Sequence, residues 1–122
     1  TRGAMRVLIV DDDESIRRLL ARYGAEQQWQ VVAVENPQAA LAVFHPSSFR
    51  AAFIDVNMGE GIDGIELARK FRVLDLDLRI MMMSGDPINN SRIEAADLGP
   101  MLAKPFELSA LEELVKSWTL PK

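Results

Sequence analysis

Cysteine is absent from the 122 residues, which excludes disulfides, thiolate nucleophiles and cysteine metal sites. Histidine occurs once, at His45, in a Pro/Ser loop distant in sequence from the acidic runs. No apolar run approaches the roughly 20 residues that a membrane-spanning helix needs. Basic blocks are missing too, and the net charge is −4. Both argue against direct binding to a nucleic-acid backbone. The lack of cysteine fits a cytoplasmic location. No linker, internal repeat or low-complexity segment divides the chain, so one domain is expected.

What is present alternates strictly. Val7-Leu8-Ile9-Val10 is a continuous β-branched-rich run, the pattern of a strand covered on both faces. Ile16, Leu19, Leu20 and Tyr23 follow at helical spacing. Val31-Val32-Ala33-Val34 reads as a second strand. Asn36 then caps a helix that starts at Pro37, with Ala40, Val43 and Phe44 inward. Ala51-Ala52-Phe53-Ile54 is a third strand, and a glycine-rich loop over 56–64 leads to a helix over 65–73. Arg79-Ile80-Met81-Met82-Met83 is a fourth strand, followed by a weakly apolar helix over 90–96. Residues 100–103 form a brief fifth strand, and Leu108, Leu111, Leu114, Val115 and Trp118 stripe a last helix. The expectation is an α/β fold: a doubly wound, five-stranded parallel sheet with helices on both faces. Thr1 to Ala4 show no periodicity and read as a remnant outside the domain.

The polar residues that stop these strands carry the chemistry. Strand one ends in Asp11-Asp12, strand three in Asp55, strand four in Ser84 and strand five in Lys104. In such sheets ligands bind outside the carboxyl ends of the strands. Two carboxylates about 4 Å apart repel by roughly 4 kcal/mol at an effective dielectric of about 20. A cluster of them therefore takes up protons or recruits a cation. An all-oxygen set favours a hard ion, and Mg²⁺ suits one that also leaves positions for phosphate oxygens. A carboxylate beside such an ion can attack phosphorus. Lys104 would offer a positive charge to one phosphoryl oxygen, and Ser84 a hydrogen bond to another.

Simpler readings exist for each residue alone. One aspartate of the 11–13 run is expected to cap the first helix, since Asp is a favoured N-cap. Asp55 and Ser84 could be turn residues and Lys104 a solvated lysine. Met81 to Met83 read as core, and His45 as a surface residue in a Pro/Ser loop. The 59–64 loop lacks the lysine-serine pattern of a nucleotide-binding P-loop.

The residues Val7 to Asp12, Asp55-Val56-Asn57-Met58, Asp63-Gly64, Ser84-Gly85 and Lys104-Pro105-Phe106 together resemble the response-regulator receiver family. The resemblance runs over essentially all of 5–119 and implies a flavodoxin-like sheet of strand order 2-1-3-4-5. It implies phosphorylation of Asp55, and Mg²⁺ held by Asp11, Asp12, Asp55 and the backbone carbonyl of Asn57. Ser84 would be the switch hydroxyl, Lys104 the phosphate-contacting lysine, and the Lys104-Pro105 bond cis. The implied partner is a sensor histidine kinase or phosphotransfer protein, with the fourth and fifth β/α units switching in response. A fused output domain and a phosphorylation-dependent dimer also belong to that picture, whereas turnover of an external substrate does not. Three features depart from the family pattern: Gly59 follows Met58 where proline is usual, the loop to Asp63 is one residue longer, and Met101 occupies the aromatic switch position. They motivate a second reading, a degenerate receiver that binds partners without phosphorylation. A third, a haloacid-dehalogenase-like phosphatase using Asp11 or Asp13, lacks the acidic pair that family needs after its lysine.

Overall fold

Val7, Leu8, Ile9 and Val10 have no solvent exposure, as a strand covered on both faces requires. In the computed structural model they belong to β1 (Arg6–Val10), the first of five strands. The structure describes residues 5–59 and 61–119, the last of these by its backbone alone. In order there follow α1 (Glu14–Glu26), β2 (Gln30–Val34), α2 (Pro37–Val43), β3 (Ala51–Asp55) and α3 (Gly64–Leu74). Then come β4 (Arg79–Ser84), a 3-10 turn (Pro87–Asn89), α4 (Asn90–Ala96), β5 (Met101–Ala103) and α5 (Leu108–Thr119). The strands form one sheet of order β2-β1-β3-β4-β5, every pairing parallel. The doubly wound fold and strand order expected from the sequence are those observed.

Because side chains alternate across a strand, each inner strand feeds two cores. Leu8, Val10, Ala52, Ile54, Ile80 and Met82 pack with Ala40, Phe44, Leu67, Phe71 and Ile93 of α2, α3, α4 and the segment after α2. Val7, Ile9, Phe53, Met81 and Met83 pack on the other face with Leu20 and Tyr23 of α1 and Leu111, Val115 and Trp118 of α5. All three central methionines are fully buried, so they are core and not a thioether site. Fully burying a side chain such as Phe71 contributes about 1.5–3 kcal/mol.

Three positions differ from the sequence reading. Val43 is 36% exposed. The helix stops there, and Phe44 leaves it in extended conformation to stack on Phe71 at 4.1 Å between ring centroids. Leu19 is 39% exposed, because α1 touches the sheet along a narrower line through Leu20 and Tyr23. Leu108, the first residue of α5, is 47% exposed. β5 also starts at Met101; Pro100 contributes only its carbonyl, which accepts from Met82 N at 3.0 Å.

Local caps fix where the helices begin. Asp13 caps α1 by accepting from Ser15 N, and Asn36 caps α2 by accepting from Ala39 N at 2.7 Å. Asp63 and Glu66 form a reciprocal capping box on α3. Residues 1–4 lie outside the described residues.

Candidate functional site

Parallel pairing sets the strand ends level, so the residues that end them meet. Asp11 follows β1 directly and its amide still donates to Val34 O at 3.1 Å. Asp55 closes β3 opposite Met83. Ser84 closes β4, and the amide of Lys104 donates to its carbonyl at 2.8 Å. The sequence-predicted residues from four strands thus share one rim.

Lys104 organises the centre. Its Nζ lies 2.6 Å from Asp11 Oδ2 and 3.1 Å from Asp55 Oδ1. Asp11 is fully buried and Asp55 nearly so, while Asp12 is exposed. Carboxylate oxygens of Asp11, Asp12 and Asp55 all lie within 4.8 Å of one another. The other oxygen of Asp11 accepts from Asp13 N at 2.9 Å, which locks its rotamer. Arg17 donates to the Asp11 carbonyl at 2.9 Å, tying α1 to the same point.

Burial and then the charge of Asp11 push the Asp55 carboxyl up to about 6, against the pull of Lys104. Burial alone would lower the Lys104 ammonium. The hydrogen bond to Asp11 and the charges of Asp55 and Asp11 outweigh that and raise it. The lysine therefore stays charged at neutral pH, and the Asp55 carboxyl is mostly ionised there. Asn57 is exposed two residues further on, at the start of the β3–α3 loop.

Ser84 is buried, and its hydroxyl donates to Asp86 O and accepts from Asp86 N, each at 3.1 Å. Asp86 caps the 3-10 turn through Ile88 N. The Lys104-Pro105 peptide is cis, as the resemblance implied. Met101 packs half-buried against the core of the α2–α3–α4 face. His45 is exposed in the α2–β3 connection.

Sequence reasoning missed Asn89 and Arg92. Asn89 is buried and donates to Ser84 Oγ at 3.0 Å; Arg92 pairs with Asp63. Burial would raise the Asp63 carboxyl, but hydrogen bonds from Arg92 and Glu66 N and the Arg92 charge outweigh it and lower it. Nothing in the run Asn89-Asn90-Ser91 marks the first asparagine as the buried one.

Residues 7–116 match the sequence model of the response regulator receiver domain. The chain belongs to that family. Among curated relatives, sporulation initiation phosphotransferase F of Bacillus subtilis (strain 168) is 28% identical over 115 residues, covering 93% of this receiver and 92% of that protein. Response regulator protein FleR of Pseudomonas aeruginosa is 34% identical over 114 residues. The receiver spans 92% of its own length there but only 24% of FleR. Among solved structures, response regulator TrrA of Thermotoga maritima, in complex with Mg²⁺-BeF, is 30% identical with a TM-score of 0.80. That match covers 93% of this receiver and 98% of the TrrA chain.

The chain is thus the receiver domain of a two-component response regulator, with an acidic cluster of Asp11, Asp12 and Asp55 at the rim.

Proposed function

We propose that this receiver is phosphorylated on Asp55 with the help of Mg²⁺ held by Asp11, Asp12, Asp55 and the Asn57 carbonyl. The observation that carries the reading is Lys104 Nζ, set between the carboxylates of Asp11 and Asp55 at the junction of three strand ends. The donor set suits a hard cation: oxygen ligands only, with two of the three carboxylates buried and one open to solvent. The TrrA complex with Mg²⁺-BeF supports the same choice by analogy. Mg²⁺ would supply positive charge to the phosphoryl oxygens.

The remaining work falls to the protein's side chains. An Asp55 oxygen attacks phosphorus and forms the O–P bond. The N–P bond of the donor's phosphohistidine breaks, and its electron pair returns to the imidazole nitrogen, which solvent protonates. Lys104 neutralises one equatorial oxygen, and the Ser84 hydroxyl donates a hydrogen bond to another. Partners on this reading are a sensor histidine kinase or a phosphotransfer protein, in the cytoplasm, with no external substrate turned over. A fused output domain fits the small share of FleR that the receiver spans. The fourth and fifth β/α units would carry the response.

The test is direct. Incubation with Mg²⁺ and acetyl phosphate should add one phosphoryl mass to the intact protein. The adduct should require Mg²⁺ and vanish in Asp55→Ala. No adduct, with no binding of beryllofluoride and Mg²⁺ either, would replace this reading by the degenerate interaction module.

A further inference from the structure

A serine hydroxyl has one proton to donate and two lone pairs to accept with, and at Ser84 all three are used. The proton goes to Asp86 O; the lone pairs receive Asp86 N and the side-chain amide of Asn89. Asn89 is only 3% exposed. Its own Oδ1 accepts from Arg92 Nη1 at 3.2 Å. The second terminal nitrogen of Arg92 pairs with Asp63 Oδ2, on the residue that caps α3. One polar chain therefore runs from the end of β4, through the 3-10 turn and α4, to the loop behind Asp55.

We propose that Asn89 is a positioning residue which, with Arg92 and Asp63, latches the Ser84 hydroxyl in its unphosphorylated setting. The inference rests on the assignment of Asp55 and Ser84 made above. Ser84 can donate a hydrogen bond to a phosphoryl oxygen only by releasing Asp86 O. Reaching that oxygen by rotation about Cα–Cβ, rather than by turning the hydroxyl alone, also withdraws Oγ from Asn89. The Asn89 amide is then left buried and unpaired, a costly state, unless the turn and α4 move with it. That movement loads the Arg92–Asp63 pair. Coupling of this kind is reciprocal in free energy, so cutting the outer pair favours the phosphorylated arrangement.

Arg92 is half exposed at its side chain, so Arg92→Ala leaves the core intact. Beryllofluoride affinity in Mg²⁺ would be measured for the wild type, Arg92→Ala, Ser84→Ala and the double variant. Arg92→Ala should bind about 3–10-fold more tightly than wild type, the equivalent of one hydrogen bond. In the Ser84→Ala background the same change should stay within about twofold. A gain of equal size in both backgrounds, or no gain at all, overturns the latch. The side-chain amide signal of Asn89, read by NMR without metal or phosphodonor, should shift in both single variants. An unmoved signal also overturns the latch. A wild-type protein that binds no beryllofluoride overturns the phosphorylation reading instead, and the amide signal then decides the latch alone.

Discussion

Replacing Gly64 with alanine is expected to destabilise the receiver by about 3 kcal/mol or more. A Cβ built at Gly64 would stand 2.0 Å from Asp55 O, 2.7 Å from Asp55 C and 2.9 Å from Val56 Cα. All three are backbone atoms, so no rotamer change relieves the overlap. Either α3 withdraws from the end of β3, or the end of β3 moves. Gly64 N also donates to Val56 O at 2.8 Å, and withdrawal would lose that bond. Gly59→Ala is the internal comparison. Its φ of +83° is unfavourable for alanine, but nothing lies within 4 Å of the new methyl. That variant should lose only about 1 kcal/mol. Urea unfolding of the two variants measures the difference, and equal losses would show that the close approach is unimportant. Because two of the three obstructing atoms, and the nearest, belong to Asp55, Gly64→Ala should also slow phosphoryl uptake, whereas Gly59→Ala should affect it less.

The pattern of what could be read in advance follows from the same geometry. Asp11, Asp55, Ser84 and Lys104 were legible because each interrupts an apolar run, and parallel strands bring their carboxyl ends together. The strand order followed from the family resemblance, and Asn36-Pro37 announced the start of α2 by local chemistry alone. Side-chain direction at helix ends was less legible. Val43 and Phe44 are neighbours in a hydrophobic pattern, yet the chain leaves the helix between them and only Phe44 turns inward. Asn89 and Arg92 could not be picked out, because their roles depend on a 3-10 turn and on a loop 29 residues away in sequence. Periodicity reports which face of an element is apolar; it is silent about polar side chains that bridge separate loops.

Lys104→Met is expected to cut phosphoryl uptake by roughly 100-fold or more, the effect of removing one group aimed at developing charge. It should also change how stability depends on pH. In the wild type the Asp55 carboxyl is pushed up to about 6, first by burial and then by Asp11, with Lys104 pulling it down. A carboxyl raised in the folded state binds protons there that the unfolded chain has already released. Its contribution therefore favours folding at acid pH and is lost as pH rises from about 4 to about 6. Removing the lysine removes the downward pull, so the window extends towards neutrality. Breaking a buried ion pair by deleting one partner costs about 3 kcal/mol, and here the loss should be full near pH 8. Towards pH 5 it should shrink, because a protonated Asp55 no longer repels Asp11. Urea midpoints of both proteins across that range, in EDTA, give the comparison, and an equal loss at pH 5 and pH 8 would contradict the coupling. Repeating the series with millimolar Mg²⁺ separates the two roles of the ammonium. A divalent cation replaces the positive charge missing beside Asp11 and Asp55, but not the donor that Lys104 would offer to a phosphoryl oxygen. The stability of Lys104→Met should therefore rise with Mg²⁺ by more than that of the wild type, while its phosphoryl uptake stays low.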